Sequence, residues 1–292
     1  MTIIVPGKRR YLLCAGLIVL AACSSSNSDR TVLQNKGSDT LVNVAQAWAE
    51  NYSRVKTDVA VVVSGGGSGT GIAALINGKV DIANASREMK PEEHESMKKN
   101  GLIAAVQHTV ARDAIVVFVH KDNPAAELSV QQLACVYGEG GKCSTWTDLG
   151  IEVPGCAKQE IIRISRQSNS GTYVFFRETV LGKTGDFKLG SRDMQGSKDV
   201  VDLVTHTPCA IGYSGMGYAN EKLKSVCVSA NDGGACVTPN AETAASGVYP
   251  IARGLYMYTI GEAEGAAKDY LDWILSPAGQ AIVTQSGFIP VN

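Results

Sequence analysis

Arg166 stands three spacer residues ahead of the Ser-Gly-Thr run Ser170–Thr172, in the stretch SRQSNSGTYVFFRE. A guanidinium presents a fork of N–H donors that matches the oxygens of an oxyanion. A Ser-Gly-Thr run at the mouth of a helix presents hydroxyls together with backbone N–H groups that have no partner inside the helix, at the positive end of its dipole. Gly171 lets an anion approach the backbone closely. The chemistry implied is anion capture. The plainer alternative is an ordinary N-cap beside a surface arginine, since serine and threonine are common caps.

The same device occurs twice more. SGGGSGTG, Ser64 to Gly71, joins an apolar strand to a helix and places Ser68 and Thr70 at its start. KGSDTL, Lys36 to Leu41, does the same with Ser38, Asp39 and Thr40. Three hydroxyl-and-glycine helix mouths and one arginine read as donors that converge on a small tetrahedral oxyanion. Competing motifs fail. A nucleotide-phosphate loop needs Gly-Lys-Ser/Thr, which neither GGGSGTG nor GEGGKC supplies in register. GTGIAA fits only the loose dinucleotide pattern, with no acidic residue ending a strand about twenty residues on. Ser68 lacks a glycine two residues after it, so G-x-S-x-G fails, and no histidine lies in the three turns to act as a base. No C-x-x-C occurs, and His94, His108, His120 and His206 show no ligand spacing. No metal, cofactor or catalytic residue is assigned.

These turns need a scaffold to hold them. The apolar runs TVLQNKG, DVAVVVS, VDIANAS and ARDAIVVFVH alternate with helical patterns, which predicts a parallel sheet with helices on its faces. A second compartment follows, with strands in EIIRISR and CAIGYSG and helices in SVQQLACVYG, GTYVFFRETVLG and VVDLVTHTP. YPIARGLYMYTI and two amphipathic helices then lead back to the first. Trp48, Trp146, Trp273 and the run Tyr173–Phe176 read as core. The 292 residues are 45% hydrophobic and 19% charged, with net charge −1 and a pI of about 6.4, so no basic face for nucleic acid is implied.

At the N-terminus, Lys8, Arg9 and Arg10 precede the short apolar run YLLCAGLIVLAA, an export signal rather than a membrane span. LAAC, Leu20 to Cys23, resembles a bacterial lipobox, which implies cleavage before Cys23 and lipid on its sulfur. Six cysteines remain, and an even set in an exported chain reads as disulfides. Local closure favours Cys135 with Cys143 and Cys227 with Cys236, which leaves Cys156 with Cys209.

GSDTL, SGGGSGTG, VDIANASREMKPEE, RQSNSGT, AIGYSGMGY, GVYPIARGLYMYT and GQAIVTQSGFIPVN, in this order and spacing, resemble the phosphate-binding proteins of bacterial Pst-type ABC transporters. The resemblance runs from about Gly37 to the C-terminus, and R-x-x-x-S-G-T is its most specific part. It implies an α/β, two-lobed periplasmic-binding-protein fold of type II, with crossing hinge strands and phosphate enclosed between the lobes. It also implies Thr40, Leu41 and Ser68 as donors on one lobe and Arg166, Ser170, Gly171 and Thr172 as the clamp on the other.

One position departs from the family pattern. Many members carry after Ala-Ser an aspartate that accepts the proton of hydrogen phosphate; this chain has Arg87 there. An arginine cannot accept and would strengthen binding of any dianion. Asp39 and Asp113 are the candidate replacement acceptors, and Ser38 is a further candidate contact.

The sequence therefore describes an extracytoplasmic, lipid-anchored, monomeric phosphate carrier for an ABC permease. Its parts are a signal at 1–22, a tether at 23–30, lobe 1 at 31–111 with 251–292, and lobe 2 at 112–250. The alternatives are a carrier of sulfate, molybdate or tungstate, and an envelope phosphatase using Ser68 or Ser170.

Overall fold

The computed structural model describes residue 2 and residues 30–291. The stretch read as an export signal, with Cys23, lies outside the described residues. The chain begins with β1 (Thr31–Gly37), α1 (Val42–Val55), β2 (Val59–Ser64), α2 (Ser68–Ile76), β3 (Ile82–Ala85) and α3 (Pro91–Lys99). β2 is largely valine, whose branched side chains fit a pleated surface. α1 buries Val44, Ala45, Trp48 and Tyr52, a helical stripe that packs on the sheet. α3 is polar but well bounded. Pro91 opens it, Glu93 accepts the Lys90 backbone N–H, and Gly101 follows its end. β2, β1 and β3 pair in parallel, as alternating strand and helix require.

The next strand, β4 (Ala105–His120), spans 16 residues and changes partners part way. Ala105–Ala114 pairs with β10 (Ala252–Ile260), while Ile115–His120 pairs with β8 (Ala210–Gly215) and β9 (Leu223–Ser229). Between them the chain forms β5 (Glu127–Ser129), α4 (Val130–Tyr137), β6 (Ile162–Arg166), α5 (Gly171–Leu181), β7 (Arg192–Met194) and α6 (Ser197–Thr205) before β8, and α7 (Ala241–Ala245) after β9. α8 (Gly265–Leu275) and α9 (Pro277–Gln285) close the chain.

Among the described residues the strands run β2-β1-β3-β10-β4-β8-β6-β7, with β9 on the far end of β4 and β5 on β9. The sheet is thus mixed, not purely parallel as the alternation predicts. β4 leaves the first half and β10 returns to it, so the two must lie antiparallel to each other. The three-residue strands β5 and β7 carry too little apolar pattern to be read from sequence, and the seven-residue β9 is a further strand that the sequence analysis does not place.

Two principal cores sit on either side of this crossing. Leu33, Trp48, Ile82, Val110, Met257 and Tyr270 belong to one. Ile115, Leu133, Tyr137, Trp146, Phe176 and Tyr213 belong to the other. In the second, Phe176 stacks on Tyr213 at 3.8 Å between ring centres, and Tyr137 meets both edge-on. Trp48 Nε1 donates to the Gly279 carbonyl, which ties the last helix to α1. Trp273 is only partly buried beside Tyr52.

Disulfides join Cys135 to Cys143, Cys156 to Cys209 and Cys227 to Cys236. The second spans 53 residues of sequence and the first only 8. Because a crosslink mainly restricts the unfolded chain, replacing Cys156 and Cys209 by serine should cost about 4 kcal/mol, against about 2.5 kcal/mol for the Cys135–Cys143 pair. Urea denaturation of the two double variants checks the order; equal losses would contradict it.

Candidate anion-binding site

Three helix mouths approach one another at the crossing. In the turn between β1 and α1, Ser38 N–H donates to the Asn84 carbonyl at 2.9 Å, and Leu41 N–H donates back to the Ser38 carbonyl at 3.1 Å. Ser68 opens α2 and its Oγ accepts the Ser86 N–H at 3.0 Å. Ser170 caps α5, its Oγ accepting from the Thr172 and Tyr173 N–H groups. The cap is the local sequence preference at work, and it orders the first turn whose N–H groups point outward.

The hydroxyls then meet across the two halves. Thr40 Oγ1 lies 2.9 Å from Thr172 Oγ1, although 132 residues separate them. Ser38 Oγ donates to Ser86 Oγ at 2.9 Å, and Ser68 Oγ is 3.3 Å from the same atom. Gly171 faces this group so closely that a Cβ there would stand 2.3 Å from Ser68 Oγ and 2.6 Å from Ser86 Oγ. Ser38, Thr40, Ser68, Ser86, Arg166, Ser170 and Thr172 are all buried.

Two guanidinium groups border the cluster. Arg166 donates from Nε and Nη2 to the Gln195 carbonyl, from Nη1 to Ser197 Oγ, and from Nη2 to Asp39 Oδ2 at 3.2 Å. Four of its five N–H groups are thereby occupied, and one on Nη1 is left for a ligand oxygen. Burial pushes its pKa below the ordinary value while Asp39 pushes it back up. Arg253 sits on β10, and its Nη2 reaches Asp113 Oδ2 at 2.7 Å, Thr172 Oγ1 at 3.1 Å and Thr40 Oγ1 at 3.4 Å. Its Nη1 donates to the Ser86 carbonyl at 3.0 Å.

The acidic candidates divide. Asp39 Oδ1 accepts the Gly66 N–H and Oδ2 accepts from Arg166, so it retains lone pairs at the edge of the cluster. Asp113 is fully buried, with Oδ1 taking the Met216 N–H and Oδ2 taking both Nε and Nη2 of Arg253. Burial raises its pKa above the ordinary carboxylate value, and the doubly bonded guanidinium of Arg253 opposes that rise.

Arg87 does not act as the sequence reading expects. Nη1 and Nη2 pair with the Glu93 carboxylate at 2.8 and 2.6 Å, and Nη1 also donates to the Glu88 carbonyl. Its charge is thus balanced within its own segment and adds no net attraction for a dianion. A cavity of about 580 Å³ opens beside the cluster, with Arg87, Lys90, Phe175 and Arg253 in its walls. Arg253 lies 5.8 Å from the centre of the Phe175 ring.

The structure brings together Thr40, Ser68, Gly171 and Thr172, with Arg166 and Ser170 in the same clamp. Leu41 uses its N–H in its own turn. Ser86 and Arg253 are members that the sequence analysis missed. Ser86 was passed over for its neighbour Arg87. Arg253, a single charge inside the apolar strand GVYPIARGLYMYT, was a visible anomaly.

Two α/β halves joined by crossing strands, with helix N-termini from both facing one buried cluster, define the periplasmic-binding class of fold. The sequence profile of the PBP superfamily domain matches residues 24–278. The phosphate-binding protein PstS of Pseudomonas aeruginosa PAO1 is 36% identical over 270 residues, covering 89% of this chain and 83% of that protein. PstS of Bacillus subtilis 168 is 31% identical over 297 residues, covering 96% and 92%. The crystal structure of a phosphate-bound ABC transporter substrate-binding protein from Clostridium perfringens superposes with a TM-score of 0.78 at 29% identity, covering 90% of this chain and 100% of that one. The chain belongs to the PBP superfamily and, within it, to the family of PstS phosphate-binding proteins.

Two outcomes follow from the packing. Gly171→Ala should keep both halves folded but hold them apart, lowering anion affinity at least about tenfold, the scale of an overpacked contact. Calorimetric titration beside small-angle scattering tests this, and unchanged affinity would contradict it. Arg253→Ala strands the Asp113 carboxylate without its partner and should cost about 3–5 kcal/mol of stability, measured by urea denaturation of ligand-free protein.

Proposed function

We propose that this protein captures inorganic phosphate outside the cytoplasm and delivers it to the permease of an ABC transporter. The observation that carries the reading is the meeting of Thr40 and Thr172, hydroxyls of opposite halves, at 2.9 Å beside Arg166 and Arg253. A tetrahedral oxyanion takes donors from both sides at once, so each half binds more tightly when the other is in place. Phosphate is preferred because the relatives at 36% and 31% identity are named phosphate-binding proteins.

The lobes are 31–111 with 251–292 and 112–250, closing about β4 and β10. In support, Ala111 and Leu255 pack in the first core and Ala114 in the second, while Ile251, at the boundary itself, packs on the second-core side. The ligand contacts are Thr40, Ser68, Arg166, Ser170, Gly171 and Thr172, to which the geometry adds Ser86 and Arg253, while Leu41, whose N–H is bonded to the Ser38 carbonyl, drops out. The protein works as a periplasmic monomer tethered through lipid on Cys23. Among the described residues no helix is long and apolar enough to cross a membrane.

The protein binds rather than catalyses. His108 bonds to Thr259, His120 accepts the Asp122 N–H and His206 bonds to the Asp202 carbonyl, partners other than Ser68 and Ser170. A second reading, a carrier of sulfate, molybdate or tungstate, is favoured by one observation. Arg87 is paired with Glu93 and Asp113 with Arg253, so among the described residues the cluster offers a protonated oxyanion no carboxylate beyond Asp39, itself bonded to Arg166 and to the Gly66 N–H.

Removing the Arg166 side chain should weaken phosphate binding by about 2–4 kcal/mol, the scale for a charged partner lost from a closed site. Calorimetry on phosphate-stripped protein reads this directly, and unchanged affinity would rule out the assignment. In the same titrations, sulfate competing on equal terms with phosphate would move the reading to the second class of ligand.

A further inference from the structure

Asn169 lies just outside the proposed contact set, on the loop between β6 and α5, and its polar groups face the other lobe. Its Nδ2 donates to the Gly66 carbonyl at 2.9 Å and approaches Thr70 Oγ1 at 3.3 Å. Its own carbonyl accepts the Gly69 N–H at 3.0 Å. The fit at the backbone is close. Gly67 has φ +90°, and a Cβ there would stand 2.7 Å from the Asn169 carbonyl oxygen. The same loop is gripped a second time, because Asp39 accepts the Gly66 N–H and pairs with Arg166. The two peptide groups that flank the Gly66 Cα are therefore held, one at its N–H through Asp39 and the other at its carbonyl by Asn169.

We infer that Asn169 is a latch residue that sets how long the lobes stay closed on their anion. The inference rests on the reading of the protein as a two-lobed anion carrier. All three Asn169 bonds join one lobe to the other, so they exist only in the closed form and water replaces them in the open one. Groups that bond only in the closed state shift the equilibrium by that difference and nothing more. They also form after the anion has entered. Their loss therefore falls on dissociation and not on capture.

The test is rapid-mixing kinetics of inorganic phosphate with the phosphate-stripped full chain. Asn169→Ala removes the two side-chain bonds and leaves the carbonyl, so the dissociation rate should rise about three- to tenfold, with the association rate within about twofold of the parent. The ligand-free melting temperature should not move. Thr70→Ala should raise dissociation about twofold in the parent and have no further effect in Asn169→Ala, since the two share one bond. An unchanged dissociation rate, a loss borne by association, or a lowered ligand-free melting temperature would each overturn the latch. Should Asn169→Ala not fold, the Thr70→Ala dissociation rate decides alone. If the parent chain itself shows no phosphate binding, it is the functional reading that falls, whatever the variants do.

Discussion

The ion pair between Asp113 and Arg253 is the contact around which the rest of the site is arranged. It lies where β4 and β10 run side by side, on the strands that connect the halves, and both side chains are buried. A buried arginine without its carboxylate is costly, and so is the carboxylate without the arginine. Their union fixes the direction of the guanidinium. From that fixed point Arg253 reaches a threonine of each half and the carbonyl of Ser86. One rigid cation on the hinge thus serves both sides of the cleft.

Charge around the cleft is balanced. Arg166 and Arg253 are set against Asp39 and Asp113. The two ion pairs leave the cleft without a large net charge, so what it presents is directed donors: hydroxyls, helix-end N–H groups and the guanidinium hydrogens still unused. This arrangement also limits how a protonated oxyanion is told from an unprotonated one. Where many relatives by resemblance place an aspartate, this chain has Arg87 in a closed pair with Glu93. The carboxylate that lies beside the cluster is instead Asp39, which bonds to Arg166 and to the Gly66 N–H.

Closing of the lobes is coded in small residues and in bonds at the edge. Gly171 lets the hydroxyls of Ser68 and Ser86 lie against the α5 mouth, in space that a Cβ would fill. Tyr218, after β8, donates to the carbonyls of Asp39 and Thr40 and so steadies the first turn from the other side. Asp39 and Asn169 do the same for the glycine loop before α2. The cleft is thus defined by interlobe bonds on several sides.

The sequence determined the parts whose physics is local. Helix mouths with hydroxyl and glycine, the short disulfide loops, the valine-rich strand β2 and the bounded helix α3 all follow from preferences within a few residues. Arg166 with Ser170–Thr172 was readable because cap and clamp lie on one turn. Only the tertiary structure decided that Thr40 would meet Thr172, that Arg253 would stand between them, and that Asn169 would hold a glycine loop about a hundred residues earlier in the chain. It also turned β10 antiparallel to β4, because a chain that leaves a lobe and returns must cross itself in opposite directions. The reason is the same throughout. Capping and turn preferences act on neighbours along the chain, whereas the partners of a buried charge or hydroxyl are whatever the docking of two lobes brings within 3 Å or so, and no local pattern encodes that.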